Sequence, residues 1–287
     1  MKNWSKAFSK EKYFFAGVSV FIWQIMFFFL PLLFIFILSF LDPAICGHVF
    51  SVANYVNVFH IPQLKAILTS LSLAMLNVFL CLLCAYPVSY CLVFKIKKFQ
   101  NLLLVFLTLP LWVNFLVQTY AWFFILEHNG LINKLLLHVG LISQPLHLVN
   151  NIFAIILVMF HVNLPFMIMP IYNVLEKMDP ELIEASKDLG ASDWETFKTI
   201  TLPLSKSGVQ LGSFLVFVMS FGEFIIPNLL GGEKIILVGP LISQYFLSPS
   251  SMASGAAFTI LSSLALIVFL AFLLILSNTL LGKGESK

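Results

Sequence analysis

The sequence predicts an all-α integral membrane protein with six transmembrane helices. Hydrophobic residues make up 60% of the 287-residue chain, 31 positions are Phe, and 10% are charged. Soluble domains carry about a quarter charged residues, and the mean hydropathy here is +0.99. Six apolar runs reach the roughly 20 residues a helix needs to cross hydrocarbon. Period-2 alternation is absent, so these runs satisfy their backbone groups as helices and not as a barrel.

The runs read as about 14–41, 66–94, 102–126, 151–175, 207–230 and 257–281, in a single transmembrane domain covering 1–287. The first follows a basic start, but its 28 uncharged residues exceed a signal-peptide core and no small-residue cleavage site follows. It is expected to be retained as a span. The fifth is interrupted by Glu223.

Lysine gives the orientation, since positive residues stay on the cytoplasmic side and the chain has no Arg. An inside N-terminus places Lys2, Lys6, Lys10, Lys12, Lys95, Lys97, Lys98, Lys177, Lys187, Lys198, Lys206, Lys283 and Lys287 inside, 13 of the 16 lysines. Lys65, Lys134 and Lys234 remain outside, and six spans return the C-terminus to the cytoplasm. The formal charge of +3 therefore describes sidedness, and no basic patch suited to nucleic acid arises.

Cys81, Cys84 and Cys91 fall inside the second run, where thiols at this spacing pack on a helix face. Cys46 has no evident partner, and His48, His60, His128, His138 and His147 show no metal-ligand spacing. No metal site or cofactor is expected. His161 differs because it opens HVNLPFMIMPIY inside the fourth run, where Pro165 and Pro170 each remove a backbone donor. Two readings stand: an ordinary proline kink, or a bent helix lining a cavity with His161, Asn163, Tyr172 and Asn173 on its wall. Pro87 and Pro110 interrupt the second and third runs in the same way.

One segment departs from the apolar background. DPELIEASKDLGASDWETFKTITLP, Asp179 to Pro203, holds eight Asp, Glu or Lys residues in 25 positions, six acids against Lys187 and Lys198. Asp179 before Pro180 is a helix start and Gly190 a stop. Leu182, Ala185, Ser186 and Leu189 recur at helical spacing. Ser192 and Glu195 then make a capping box, after which Trp194, Phe197 and Ile200 share a face up to Pro203. Two helices this short are marginal in water alone, so their apolar faces need a cover. The cover is either the inner ends of the spans and the lipid interface, or another protein. The net acidity disfavours an anionic lipid surface.

Glu184-Ala185-Ser186, three residues, Gly190, nine residues, Ile200, one residue, Leu202-Pro203 resembles the EAA loop of membrane subunits of binding-protein-dependent ABC importers. Ser186 replaces the second alanine of that pattern. The resemblance implies the type I importer permease fold for the whole chain. It also implies a cytoplasmic coupling loop over 177–206 that docks on a separate ATP-hydrolysing subunit, with Glu184, Ala185, Gly190, Ser192, Trp194, Phe197, Ile200 and Pro203 as the coupling residues. No G-x-x-x-x-G-K-[ST] phosphate loop occurs in the sequence, which agrees with a non-catalytic subunit.

Glu223 lies in SFGEFIIPNLLGG. An acid at a helix centre costs about 2.5 to 3.5 kcal/mol to insert, so it faces the bundle interior, a watery cavity or the outer interface. It is either a structural carboxylate on backbone amides freed near Pro227 or a counter-charge for a cation. Gly222 to Pro227, followed by Leu229-Leu230-Gly231-Gly232, is similar to the corresponding segment of spermidine/putrescine importer permeases, with Asn228 where many of them carry an acid. Trp112, Tyr120 and Trp122 add candidate cation-π contacts to a protonated amine, although interfacial anchoring explains them equally.

The resemblance thus implies a polyamine permease of a bacterial cytoplasmic (inner) membrane. Its expected partners are two copies of an ATP-binding subunit, a second permease subunit, an extracytoplasmic substrate-binding protein and the bilayer. The expected substrate path comprises Glu223, Trp112, Tyr120, Trp122, His161, Asn163 and Tyr172. A permease for another small solute is the alternative. A secondary transporter would need no acidic amphipathic loop, and a membrane enzyme would need clustered titratable groups, for which Glu223 and His161 are the sole conceivable pair.

Overall fold

Apolar runs without access to water must close their own backbone hydrogen bonds, and the computed structural model, which describes residues 18–41, 50–232 and 235–281, is helical along most of their described length. Among the described residues the single extended pairing is an isolated bridge between Leu41 and Phe50. Lys2, Lys6, Lys10, Lys12, Lys234, Lys283, Lys287, Cys46 and His48 lie outside the described residues, as does the start of the first expected span.

The chain divides into two units. The first comprises residues 1–60 and 244–261. Its helix α1, Val18–Leu38, has no buried residue in its most apolar window. A helix that is apolar all round calls for lipid or a partner helix on every face. After it comes the short α2, Ala53–Val58. Asn54 is buried there, its Nδ2 donating to the carbonyls of Ser39 at 3.1 Å and Leu41 at 2.8 Å. This closes the end of the α1 segment.

The second unit comprises 61–243 and 262–287. It contains α3 (Ile61–Phe94), α4 (Gln100–Trp112), α5 (Phe115–Leu126), α6 (Leu131–His138) and α7 (Ile152–Glu176). Then follow α8 (Pro180–Asp188), α9 (Asp193–Leu204), α10 (Lys206–Phe221) and α11 (Ile225–Leu230). Two further helices, α12 (Val238–Leu247) and α13 (Met252–Leu281), each run across the boundary between the units.

Helices α3, α7 and α10 form the centre of this second unit. In lipid, helices associate through close packing and interhelical hydrogen bonds more than through transfer from water. Both are present. A Cβ at Gly208 would lie 2.7 Å from the Pro170 carbonyl oxygen, and one at Gly212 would lie 2.9 Å from Met167 Sδ, so the two glycines let α10 seat directly on α7. Ser220 of α10 accepts from Asn77 Nδ2 of α3 at 2.8 Å and from Asn163 Nδ2 of α7 at 3.1 Å. A second apolar cluster joins Leu126, Ile155, Val158, Met159, Ile226 and Leu230 from α5, α7 and α11.

Among the described residues four helices are long and apolar enough to cross a membrane: Val18–Leu38, Ile61–Phe94, Ile152–Glu176 and Pro249–Ile275. The number reaches six when each of two bent pairs counts as one span. The run expected over 102–126 is one of these pairs, because α4 and the segment beginning at Phe115 meet at 93°. Val113 is extended there, and Asn114 caps α5 by accepting from Leu116 N at 2.9 Å. Gln118 Nε2 donates to the Pro110 carbonyl across the bend. The other pair, Asp193–Leu204 and Lys206–Phe221, bends by 63°. The run expected over 207–230 is also divided, since α10 ends at Phe221 and α11 begins at Ile225. By contrast α7 stays one helix through Pro165 and Pro170, and α3 through Pro87.

Candidate functional site

The loop between α7 and α10 is built by local signals. Asp179 accepts from Glu181 N at 3.0 Å with Pro180 at the first helical position, which starts α8. Gly190 has φ +86°, a left-handed conformation that side chains with a Cβ rarely adopt. The capping box of Ser192 and Glu195 then starts α9: Glu195 N donates to Ser192 Oγ at 3.3 Å, and Ser192 N donates to Glu195 Oε2 at 2.8 Å.

Two contacts pin α8 to α9 across the glycine. Ser186 Oγ and Thr196 Oγ1 are 2.7 Å apart and buried. Lys187 Nζ lies 2.8 Å from Asp193 Oδ1 on the exposed side. Its hydrogen bond and charge hold the Asp193 carboxyl below the usual carboxylate range, and Asp193 in turn raises Lys187. Glu195 is lowered by the Ser192 amide and hydroxyl.

The apolar side chains of this loop divide into two groups. Phe197 turns inward, edge-on to Tyr86 at 5.5 Å and to Tyr90 at 6.5 Å. Trp194 stacks on Phe197 at 5.4 Å yet is 69% exposed, and Leu189 is 89% exposed. The side expected of Leu182, Ala185, Ser186 and Leu189 is therefore not turned inward as a whole: Ser186 is buried and the others are exposed. Glu184 lines a cavity of about 980 Å³ between the loop and the α3–α4 turn, with Tyr90, Lys95, Glu176 and Lys187 on its walls. Ile200 is half-buried in a π-helical turn, Phe197–Thr201, and Pro203 sits in the last turn of α9.

The expected path residues fall in separate places. Trp122 meets the His161 ring edge-on at 5.3 Å, joining α5 to α7. Asn163 belongs to the Asn77–Ser220 bridge. Tyr172 lies near the loop, donating to Glu176 Oε1 and accepting from Gln100 Nε2, each at 2.5 Å. Trp112 is 89% exposed beside the 93° bend, and Tyr120 is exposed on α5. Glu223 occupies the break between α10 and α11, where its Oε1 accepts from Ile225 N at 2.9 Å and Ile226 N at 3.3 Å. Its backbone is closely approached, since a Cβ at Gly239 would lie 2.4 Å from the Glu223 carbonyl oxygen.

Sequence reasoning did not single out Asn77, Ser220, Tyr86 or Ser205, because small polar residues inside apolar runs carry no local signal of their partners. The four-residue spacing of Gly208 and Gly212 was a readable sign of close helix packing. Among the described residues no group of three or more His, Cys, Asp or Glu is arranged to hold a metal.

Long apolar helices, two of the expected runs broken, and a capped, partly uncovered loop between α7 and α10 fit a membrane subunit of a transporter, and the family confirms that class. The family model of the binding-protein-dependent transport system inner membrane component matches residues 78–281, and the chain belongs to that family. It is a multi-pass protein of the inner membrane. Over 267 residues it is 33% identical to the spermidine/putrescine transport system permease protein PotB of Haemophilus influenzae, covering 92% of this chain and 93% of that one. It is 35% identical over 254 residues to the protein of the same name from Escherichia coli, covering 86% and 92%. The fold is shared with a chain of a bacterial ABC transporter involved in the import of the acidic polysaccharide alginate, at TM-score 0.72 and 17% identity over the full length of both. A chain of the MetNI methionine ABC transporter matches at TM-score 0.56 and 12% identity, covering 78% of this chain and 96% of that one.

Proposed function

We propose that this chain is the permease subunit of an ATP-driven importer of polyamines, the spermidine and putrescine class. It forms part of the translocation path together with a second permease subunit. It receives its driving motion from a pair of ATPase subunits docked on the 177–206 loop and its cargo from an extracytoplasmic binding protein. Polyamines are suggested by the transport activity for which relatives 33–35% identical over most of the chain are named.

The observation that carries the coupling half is the state of the loop. It is capped at both helix starts and pinned across Gly190, yet Leu189 and Trp194 stand exposed. A capped and pinned loop that leaves Leu189 and Trp194 uncovered is suited to seat in a partner's groove. Alternating access follows if the docked loop moves with the ATPase and carries α10 with it, opening the path to one side and then the other.

Glu223 supplies the one carboxylate in the divided fifth run. Its Oε1 is held by the Ile225 and Ile226 amides, which fixes the carboxylate at the break between α10 and α11, and in this reading its charge balances that of a protonated amine. Purification of the chain with its native partners, followed by ATPase assays with loaded binding protein and a panel of amines, tests the assignment. Stimulation by putrescine or spermidine is expected. Copurification of no ATPase would reject the coupling role, and stimulation by a different solute class alone would reject the cargo.

A further inference from the structure

We propose that Tyr86 and Ser205 form the joint through which movement of the 179–203 loop reaches the membrane helices, with Tyr86 acting as a positioning residue. The inference rests on the importer reading above. Ser205 is the single residue between the two helices that meet at 63°, and it is 0% exposed. Its hydroxyl donates to the Leu202 carbonyl at 3.0 Å, inside the last turn of α9. A hydroxyl has one proton, so the 2.8 Å contact between Ser205 Oγ and the Tyr86 phenol is a bond donated by Tyr86. The phenol thus ties the elbow of the loop to α3.

The same tyrosine receives the loop from its other side. Phe197 meets the Tyr86 ring edge-on at 5.5 Å and stacks on the exposed Trp194 at 5.4 Å. A continuous line of contacts therefore runs from Trp194, where a docked partner would press, through Phe197 and Tyr86 to Ser205. Between its two ends the backbone is a π turn, Phe197–Thr201. Buried Thr201 Oγ1 has no hydrogen-bond partner there. Single π turns inside α-helices concentrate at functional sites, and this one carries a buried hydroxyl left without a partner. Displacement of the loop is taken up in that turn while the Tyr86–Ser205 bond holds the elbow. The Gly208 contact with Pro170 carries the held elbow onward to α7.

The test uses the complete importer in lipid vesicles and two readouts, stimulation of ATP hydrolysis by loaded binding protein and solute imported per ATP. Tyr86→Phe keeps the ring and its contact with Phe197 and removes one oxygen. The joint predicts an assembled complex with either readout reduced about fivefold, the factor one net hydrogen bond is worth. Ser205→Ala is expected to do the same, and the double variant to fall no further than Ser205→Ala, because the two residues act as one element. Unchanged readouts for Tyr86→Phe, multiplicative losses in the double variant, or a complex that fails to assemble with Tyr86→Phe would each overturn the joint. The wild-type complex reports separately on the parent reading: absence of stimulation by any loaded binding protein there contradicts the importer itself.

Discussion

The hydroxyls of Ser186 and Thr196 meet at 2.7 Å in a buried contact that ties α8 to α9 across Gly190. The resemblance to the importer loop marks Ser186 as the one departure from its pattern, and the structure gives that departure a partner on the second helix of the loop. Ser186→Ala leaves the Thr196 hydroxyl buried and unpaired, which costs about 1–3 kcal/mol, whereas replacing both partners by apolar groups of similar shape is nearly neutral. Hydrogen exchange of the loop amides is expected to rise in Ser186→Ala and to return towards wild type in Ser186→Ala/Thr196→Val. Equal exchange in all three chains would show that the contact contributes nothing to loop order.

Gly190 is required for its backbone and not for space, because φ is +86° and nothing lies within 4 Å of the position a Cβ would take. Gly190→Val is expected to abolish ATP-dependent uptake with membrane insertion intact, while Gly190→Asn, which tolerates the left-handed region, retains much of it. Normal uptake by the valine variant would contradict the role of this turn.

The charged contacts of the loop predict a pH window. Asp193 and Glu195 have lowered folded-state pKa values, so their stabilisation is complete above the unfolded values of about 3.9 and 4.3 and is lost as pH falls through the folded ones. Lys187 is raised, so its share is complete below about 10.4 and is lost as pH rises through the folded value. Trp194 emission in a chain whose other tryptophans are Phe is expected to differ between wild type and Asp193→Asn at neutral pH and to converge in acid. A constant difference down to strongly acidic pH would remove the ion pair from the account.

For Glu223 the two hydrogen bonds on Oε1 make a discriminating substitution available. Glu223→Gln preserves an oxygen acceptor for Ile225 N and Ile226 N and removes the charge. Amine uptake is expected to weaken about tenfold, the effect of roughly 1.4 kcal/mol, with assembly on the ATPase unaltered. Unchanged uptake kinetics would leave Glu223 with the α11 cap as its whole role.

The features legible in the sequence were those encoded locally. Asp179-Pro180, Gly190 and the Ser192–Glu195 box act within a few residues of themselves, and the structure forms the α8 start, the left-handed turn and the cap at those positions. Apolar length gave the helical class for the same reason. Pro110 marked a disturbance in the third run, but the 93° bend at Val113–Asn114 was not legible, because Asn114 reads equally as a polar residue inside a run and as a cap. Pro165 and Pro170, read as a kink or a bend, lie within the single helix α7. Partnerships over long separations left no trace: Asn77 with Ser220 and Tyr86 with Ser205 are set by how α3 packs on α10 and its elbow. The proposed path residues scatter for a related reason, since residue type alone marked them and only Trp122 and His161 came into contact with each other.

The most direct test of the central claim is uptake of labelled putrescine and spermidine into vesicles. One set would contain this chain with its copurified ATPase, second permease and loaded binding protein, and another this chain alone. Accumulation that requires ATP and all of the partners is predicted, with none for the chain alone. Amine accumulation by the chain alone, driven by an ion gradient without ATP, would contradict it.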